Sequence, residues 1–355
     1  MIMFKRFMKG PLIGGRVLKT GIAVFVTVII CDLLHLPTIF SVMTAIVTIE
    51  PTAHDSIKKG MIRFPASTIG SAYAMTLTYM FGHSAIAYAL SAMFTIVTCQ
   101  KLRLHAGTLV ATITAVAMIP LTDHHYFHAF VMRIVTTSIG IFVSTLVNFF
   151  ILPPNYIPFI SKRLEVLLQE FGDVLQLSIQ EMIEKEGQIK SEKRFEQLAN
   201  DLHQTMQFAH FQQQDWKYHR HSMAEARQFY YERKMLNMLQ HMHFHVGNFI
   251  GMSHAHFSWD NEEKELLREL ATSIATILKS KCTVFPEHHT QLFDQLEQRF
   301  WETKKTENKH THFSPKAVVF FELLSLHDSI EQLRHIQNRM KLSHSTLNDR
   351  RHISH

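Results

Sequence analysis

The sequence predicts an all-α protein in two parts, a polytopic helical membrane domain over residues 1–152 and a cytosolic α-helical domain over residues 153–355. Three observations carry that prediction. Residues 1–152 hold eleven Lys/Arg against only four acids (Asp32, Glu50, Asp55, Asp123), a net of +7, while the remainder holds 25 against 26. Apolar runs near the roughly 20 residues needed to cross a bilayer follow one another through the first part. The second part is polar but carries apolar residues at helical spacing, and no segment reads convincingly as a strand.

The apolar runs fall at 17–36, 38–50, 64–82, 84–99, 104–121 and 129–152, about six spans. The second is short, closed by Pro37 on one side and Glu50-Pro51 on the other, so it is expected to tilt, break or rely on snorkelling neighbours. The basic start MIMFKRFMKGPLIGGR runs into the first span with no small-residue cleavage site, which reads as an uncleaved membrane helix. Cations mark one side: Lys5, Arg6, Lys9, Arg16 and Lys19 before span 1, Lys58, Lys59 and Arg63 before span 3, Lys101 and Arg103 before span 5, and Lys162 and Arg163 after span 6. The alternate connections, including TDHHYFH (122–128), contain none. This asymmetry predicts a multi-pass protein of the cytoplasmic membrane with both termini in the cytoplasm.

LPPNYIP (152–158) closes the membrane part. Amphipathic stretches follow at 159–185, 191–250, 260–281, 288–309 and 315–342. In the first, Leu164, Leu167, Leu168, Phe171, Leu175 and Met182 form one apolar face. Asp260 before Asn261-Glu262-Glu263, and Ser314-Pro315, are helix-start signals.

The membrane part repeats itself. RFPASTIG (63–70) returns seventy residues later as RIVTTSIG (133–140), and at the same offset Thr38, Thr44, Ala45 and Ile49 align with Thr108, Thr114, Ala115 and Ile119. Span 1 matches span 4 poorly at this offset. Each unit holds three spans, so the second copy enters from the opposite side, a 3+3 inverted repeat of the kind that frames a mid-membrane site in secondary transporters. Arg63, Ser67, Gly70 and Ala74 share one helix face, as do Arg133, Thr137, Gly140 and Ser144. Gly70 with Ala74 and Gly140 with Ser144 are small-x3-small pairs that let helices pack closely. Arg63 sits where a positive-inside anchor would. Arg133 lies on the side that should lack cations, and an embedded guanidinium suits bidentate capture of a carboxylate. Arg133, Arg63, Thr137 and Ser67 are therefore the candidate substrate-binding residues, and Asp32 and Glu50 the candidate counter-ions or proton carriers.

RVLKTGIAV (16–24), IEPTAHDSIKKGMIRFPASTIGSAYA (49–74) and the helical tail resemble the bacterial aromatic acid exporter family, relatives of the fusaric acid resistance proteins, in their short single-unit branch. That family has a Pro-Thr/Ser loop leading to an Arg, with Gly-Thr three and four residues beyond and Gly at seven. Pro51-Thr52, Arg63, Ser67 and Gly70 fill the pattern, with Ala66-Ser67 in place of Gly-Thr, a departure that bears on substrate more than on fold. The resemblance implies an efflux protein for aromatic carboxylates or similar organic anions, driven by the ion gradient. Larger relatives hold two membrane halves, which implies a homodimer or higher homo-oligomer here.

Eighteen of 25 histidines follow residue 152. His241 and His245 are spaced to chelate on one helix face, with His219, His221, His254 and His256 near in sequence, but no cysteine or H-E-x-x-H accompanies them, so no metal or other cofactor is expected. Cys31, Cys99 and Cys282 form no framework. Basic charge flanking apolar runs argues for a bilayer as partner and against nucleic acid. With no nucleophile elbow, phosphate loop or paired catalytic carboxylates, an enzyme is not expected. The alternative to a transporter is a membrane-anchored helical sensor or interaction protein.

Overall fold

The computed structural model describes residues 11–121, 126–151, 155–184, 189–250, 258–280, 285–306 and 314–353. Lys5, Arg6, Lys9, Asp123, the prolines at 153 and 154, His254, His256 and Cys282 lie outside the described residues. Twelve α-helices, one short 3₁₀ turn and no strand make up the described chain. It divides into two compact units. One is residues 1–155 together with 211–220, and the other is residues 156–210 with 221–355.

The first unit contains α1 (Pro11–Leu33), α2 (Thr38–Thr48), α3 (Ala53–Phe81), α4 (Ala85–Lys101), α5 (His105–Met118) and α6 (Tyr126–Phe150). By length and composition α6 qualifies as a membrane span, while α2, α4 and α5 are apolar but shorter. Helix α3 begins well before the apolar run: Thr52 caps it by accepting from the Asp55 amide at 3.1 Å, so the charged segment 53–63 is already helical.

The packing inside this unit follows the sequence repeat crosswise. A Cβ built on Gly70 would come 2.5 Å from the Ala111 carbonyl oxygen on α5, and one on Gly140 would overlap the Ser41 carbonyl oxygen on α2. Both members of each contact are related by the offset of seventy. Gly107 likewise abuts Ala66 and the Arg63 backbone, which runs α3 parallel to α5. Phe40 meets Arg133 as Ser41 meets Gly140, so α2 runs parallel to α6. Gly60 faces Ile141 where Ser67 faces Arg133, so α3 and α6 cross antiparallel, at the centre of the pseudo-symmetry.

The first helix of each copy also corresponds, at a different offset. Helix α1 ends with Leu36 N–H donating to Cys31 C=O (2.9 Å) and His35 at φ 51°; α4 ends with Leu104 N–H donating to Cys99 C=O (2.8 Å) and Arg103 at φ 57°. These are the same left-handed helix ending, carried by the same C-x2-L-x-L string (31–36 and 99–104), displaced by 68 residues. The weak match of span 1 to span 4 came from holding the offset at seventy. The two-residue difference falls after the conserved turns, between them and the α2 and α5 contacts.

The second unit contains α7 (Ile157–Glu184), α8 (Ile189–Asp215, up to residue 210), α9 (Met223–Ile250), α10 (Asn261–Lys279), α11 (Glu287–Thr306) and α12 (Pro315–Ile353). Helix α7 buries Leu164, Leu167, Leu168, Phe171, Leu175 and Met182 and packs on α10, where Gly172 lets the Ala275 backbone approach. A capping box between Asp260 and Glu263 starts α10. The amphipathic stretch over 191–250 is two helices. Ser222 and Glu225 form a reciprocal cap that starts α9 (Ser222 N–H to Glu225 Oε2, 2.9 Å; Glu225 N–H to Ser222 Oγ, 3.1 Å), and the residues before it are drawn into the first unit.

Candidate functional site

Two polar clusters lie inside the first unit, one around each repeated arginine, and they differ in how completely the guanidinium is used. Arg63, 9% exposed, donates from Nη2 to Glu50 Oε1 at 2.8 Å, from Nη1 to the Val47 carbonyl at 3.0 Å and from Nε to the Ala106 carbonyl at 3.3 Å. Lys59 donates to the other Glu50 oxygen at 2.9 Å. Val47 is in the last turn of α2, whose final carbonyls have no intrahelical donor, so Arg63 also caps that helix. Charge and hydrogen bonds are both satisfied here.

Beside this pair, Asn148 forms a hub. Its amide nitrogen lies 2.7 Å from Ser56 Oγ, 3.0 Å from the Glu50 carbonyl and 3.1 Å from the Thr52 carbonyl, while its oxygen accepts from Lys19 Nζ at 2.9 Å. Residues 211–220 join the same end. Thr52 Oγ1 donates to Gln214 at 3.2 Å, His219 Nε2 meets the Phe149 carbonyl at 2.9 Å, and His219 Nδ1 sits 3.0 Å from Asp215 Oδ2. A carbonyl only accepts, so Nε2 carries the proton, and the Nδ1 contact is an ion pair when the ring is doubly protonated. Burial pushes the Asp215 carboxyl above its ordinary range, and His219 and then Lys19 pull it back.

Arg133 is the opposite case. It is 3% exposed, in the interior of the unit. Nη2 donates to Thr114 Oγ1 at 2.5 Å and reaches Ser67 Oγ at 3.4 Å, and the guanidinium carbon lies 4.1 Å from the Phe40 ring centroid. Nε and Nη1 have no hydrogen-bond partner, and no carboxylate among the described residues is within ion-pair distance. One turn further along α6, the Thr137 hydroxyl is buried and unpartnered as well, as is Ser41 on α2. Phe40, Tyr88, Tyr126 and Phe130 pack against Met75, Ala115 and Met118. An isolated buried cation is costly, and this one keeps two idle donors.

The structure thus brings Arg133, Ser67 and Thr137 together, pairs Arg63 with Glu50 elsewhere, and leaves Asp32 exposed at the end of α1. Gly70, Ala74, Gly140 and Ser144 are all buried at the helix crossings. Sequence reasoning missed Phe40, Thr114, Asn148 and Lys19. The signal was present for the last two, since an amide and an ammonium within apolar helices are rarely there without a partner. Among the described residues no three His, Cys, Asp or Glu gather as a metal site. His245 is instead held by Glu322 at 2.7 Å.

Residues 12–151, which include both arginine clusters, match the family described as Aromatic acid exporter family member 1. Over 340 residues the chain is 51% identical to a UPF0421 protein of Bacillus cereus, covering 93% of this chain and 95% of that one. A UPF0421 protein of Halalkalibacterium halodurans is 40% identical (92% and 90% covered), and one of Staphylococcus saprophyticus 38% (75% and 82% covered). The chain therefore belongs with the UPF0421 proteins, and its residues 12–151 are those of an aromatic acid exporter family member by that match.

Proposed function

We propose that this protein is a secondary efflux transporter of the cytoplasmic membrane for aromatic carboxylates or similar organic anions, with Arg133 as the group that meets the carboxylate. The observation that carries the reading is the buried guanidinium with Nε and Nη1 unused, no acid beside it, and an aromatic ring on its face. Nε and Nη1 face opposite sides of the guanidinium, and each shares a carboxylate-binding edge with Nη2, so either edge offers an unused donor. Thr137 and Ser67 add hydroxyls, and the rings of Phe40, Tyr88, Tyr126 and Phe130 suit a flat apolar body. In this reading α1 to α6 are six spans with both termini cytoplasmic, and the crosswise repeat puts the site where its two copies meet. Arg63 and Glu50 hold the cytoplasmic end closed as an ion pair. Protonation of Glu50 would release that pair and offers the coupling to the ion gradient, with Asp32 the exposed alternative carrier. No step of this function makes or breaks a covalent bond.

The test is retention of p-hydroxybenzoate or fusaric acid in cells with and without the gene, alongside Arg133→Ala with membrane insertion checked. Lower retention with the wild-type chain and loss of that effect in Arg133→Ala is the expected result. Equal retention with and without the gene would sink the substrate class, and full export by Arg133→Ala would sink the assignment of the site.

A further inference from the structure

The second unit carries a groove of about 570 Å³ between α11 and α12. Phe285, Phe293, Trp301 and Phe321 line it, with Trp301 and Phe321 about half exposed. Its carboxylates are Asp294 and Glu297 one turn apart on α11 and Asp328 and Glu331 one turn apart on α12, with Thr290, Ser325 and His327 the other polar groups. No lysine or arginine lines it. Among the described residues Asp294, Glu297 and Asp328 have no cation within ion-pair distance, and Glu331 has only Arg334 and His335, each at 3.8 Å. The protein already rests its own cations on these rings at the groove ends: the Arg334 guanidinium 4.1 Å from the Phe285 centroid and Lys304 Nζ 5.0 Å from that of Trp301.

We propose that this groove binds linear aliphatic polyamines, their ammonium groups on the two acidic rims and their methylene chains along the rings. Aromatic faces attract organic cations and cover aliphatic chain at once, which a rim of carboxylates alone would not do. A monovalent cation would leave most of the rim charge opposed by nothing. A hydrated divalent metal would find no three carboxylates or imidazoles converging and would leave the rings idle. An organic anion would meet four carboxylates. A polyamine matches the spacing: carboxylates three residues apart on a helix are about 4.5 Å apart along its axis, close to the separation that propyl and butyl spacers give successive ammonium groups. Along α12 the lining from Phe321 to Glu331 extends about 15 Å, enough for a three-ammonium chain.

Spermidine titrated into the detergent-purified full-length chain tests this, with heat and tryptophan fluorescence as readouts. Saturable heat is expected, with a fluorescence change that Trp301→Phe removes while leaving the heat in place. Neutralising one exposed ion pair weakens binding by about two- to fivefold, so Glu297→Gln with Asp328→Asn should weaken spermidine by about tenfold, and putrescine should bind more weakly than spermidine at equal ionic strength. Phe321→Ala should weaken spermidine without changing the salt dependence. These side chains are exposed, and unchanged thermal unfolding of the variants confirms that the fold is kept. The proposal is overturned by absence of saturable heat, by equal affinity in the double variant, or by displacement of spermidine by magnesium at equal charge concentration, which would mark diffuse screening.

Discussion

Replacing Gly70 or Gly140 with alanine sets a methyl group against the backbone of a parallel helix. At Gly70 the new carbon would lie 2.5 Å from the Ala111 oxygen and 3.1 Å from its carbon, and at Gly140 it would overlap the Ser41 oxygen and lie 2.9 Å from Thr44 Cβ. Ordinary contact begins near 3.4 Å. A helical carbonyl cannot swing aside without breaking its own hydrogen bond, so the helices must part by about 1 Å. Overpacking of this kind costs about 1–3 kcal/mol, against which alanine's helix preference returns up to about 1 kcal/mol. Gly21→Ala is the internal control, because nothing lies within 4 Å of its added carbon and only the gain remains. The two buried variants should therefore fall about 1–3 kcal/mol below Gly21→Ala, the helix preference cancelling in the comparison, seen as a lower unfolding midpoint of the purified chain in detergent. The crosswise packing also requires that Gly70→Ala and Gly140→Ala fall together. Either variant matching Gly21→Ala in stability would refute the close helix contact as the function of that glycine.

Arg133→Met should separate stability from function: it removes a buried charge that lacks an ion partner, raising stability by about 1–3 kcal/mol, while abolishing organic-anion export. Asn148→Ala should cost about 2–4 kcal/mol in the unfolding midpoint, since it strips the Lys19 ammonium of its amide acceptor and frees three acceptors at the ends of α2 and α3. His35→Gly and Arg103→Gly should each stabilise by up to about 1 kcal/mol, because both positions hold a side-chain-bearing residue at positive φ. In the second unit, burial first, with His327 and His288 adding, pushes His289 from 6.5 down to about 4. Its neutral form is what the fold accommodates, so stability is complete above about pH 6.5 and falls as the pH drops toward 4, where the unfolded chain binds a proton the folded one refuses. At about 1.4 kcal/mol per unit the loss is on the order of 2–3 kcal/mol. Urea unfolding of the full chain between pH 7 and 4.5 measures it, and a flat profile would exclude it.

Local signals carried most of the helices. Hydropathy runs, the Asp260–Glu263 cap and the apolar face of α7 each depend on residues within a few turns, so they could be read from neighbours alone. The Ser222–Glu225 cap was equally local, but the continuous amphipathic pattern over 191–250 obscured it. The break there follows from partners elsewhere in the first unit: the Thr52 hydroxyl, the Phe149 carbonyl and the charge of Lys19.

By itself the sequence determined the all-helical class, the repeat of RFPASTIG as RIVTTSIG, and which residues share a helix face, because a period of 3.6 makes faces a property of spacing. It could not separate the two arginines, which occupy equivalent positions in equivalent strings. Only the tertiary structure decided that Arg63 meets Glu50 and two helix-end carbonyls, whereas Arg133 meets a threonine, a serine and a ring. The physical reason is that the copies are alike in backbone but not in the acid each carries, since Glu50 of the first copy is matched at the offset of seventy by Pro120. The acid stands only at the end of α2, within reach of Arg63, so one guanidinium is neutralised inside the chain and the other is left with two open donors.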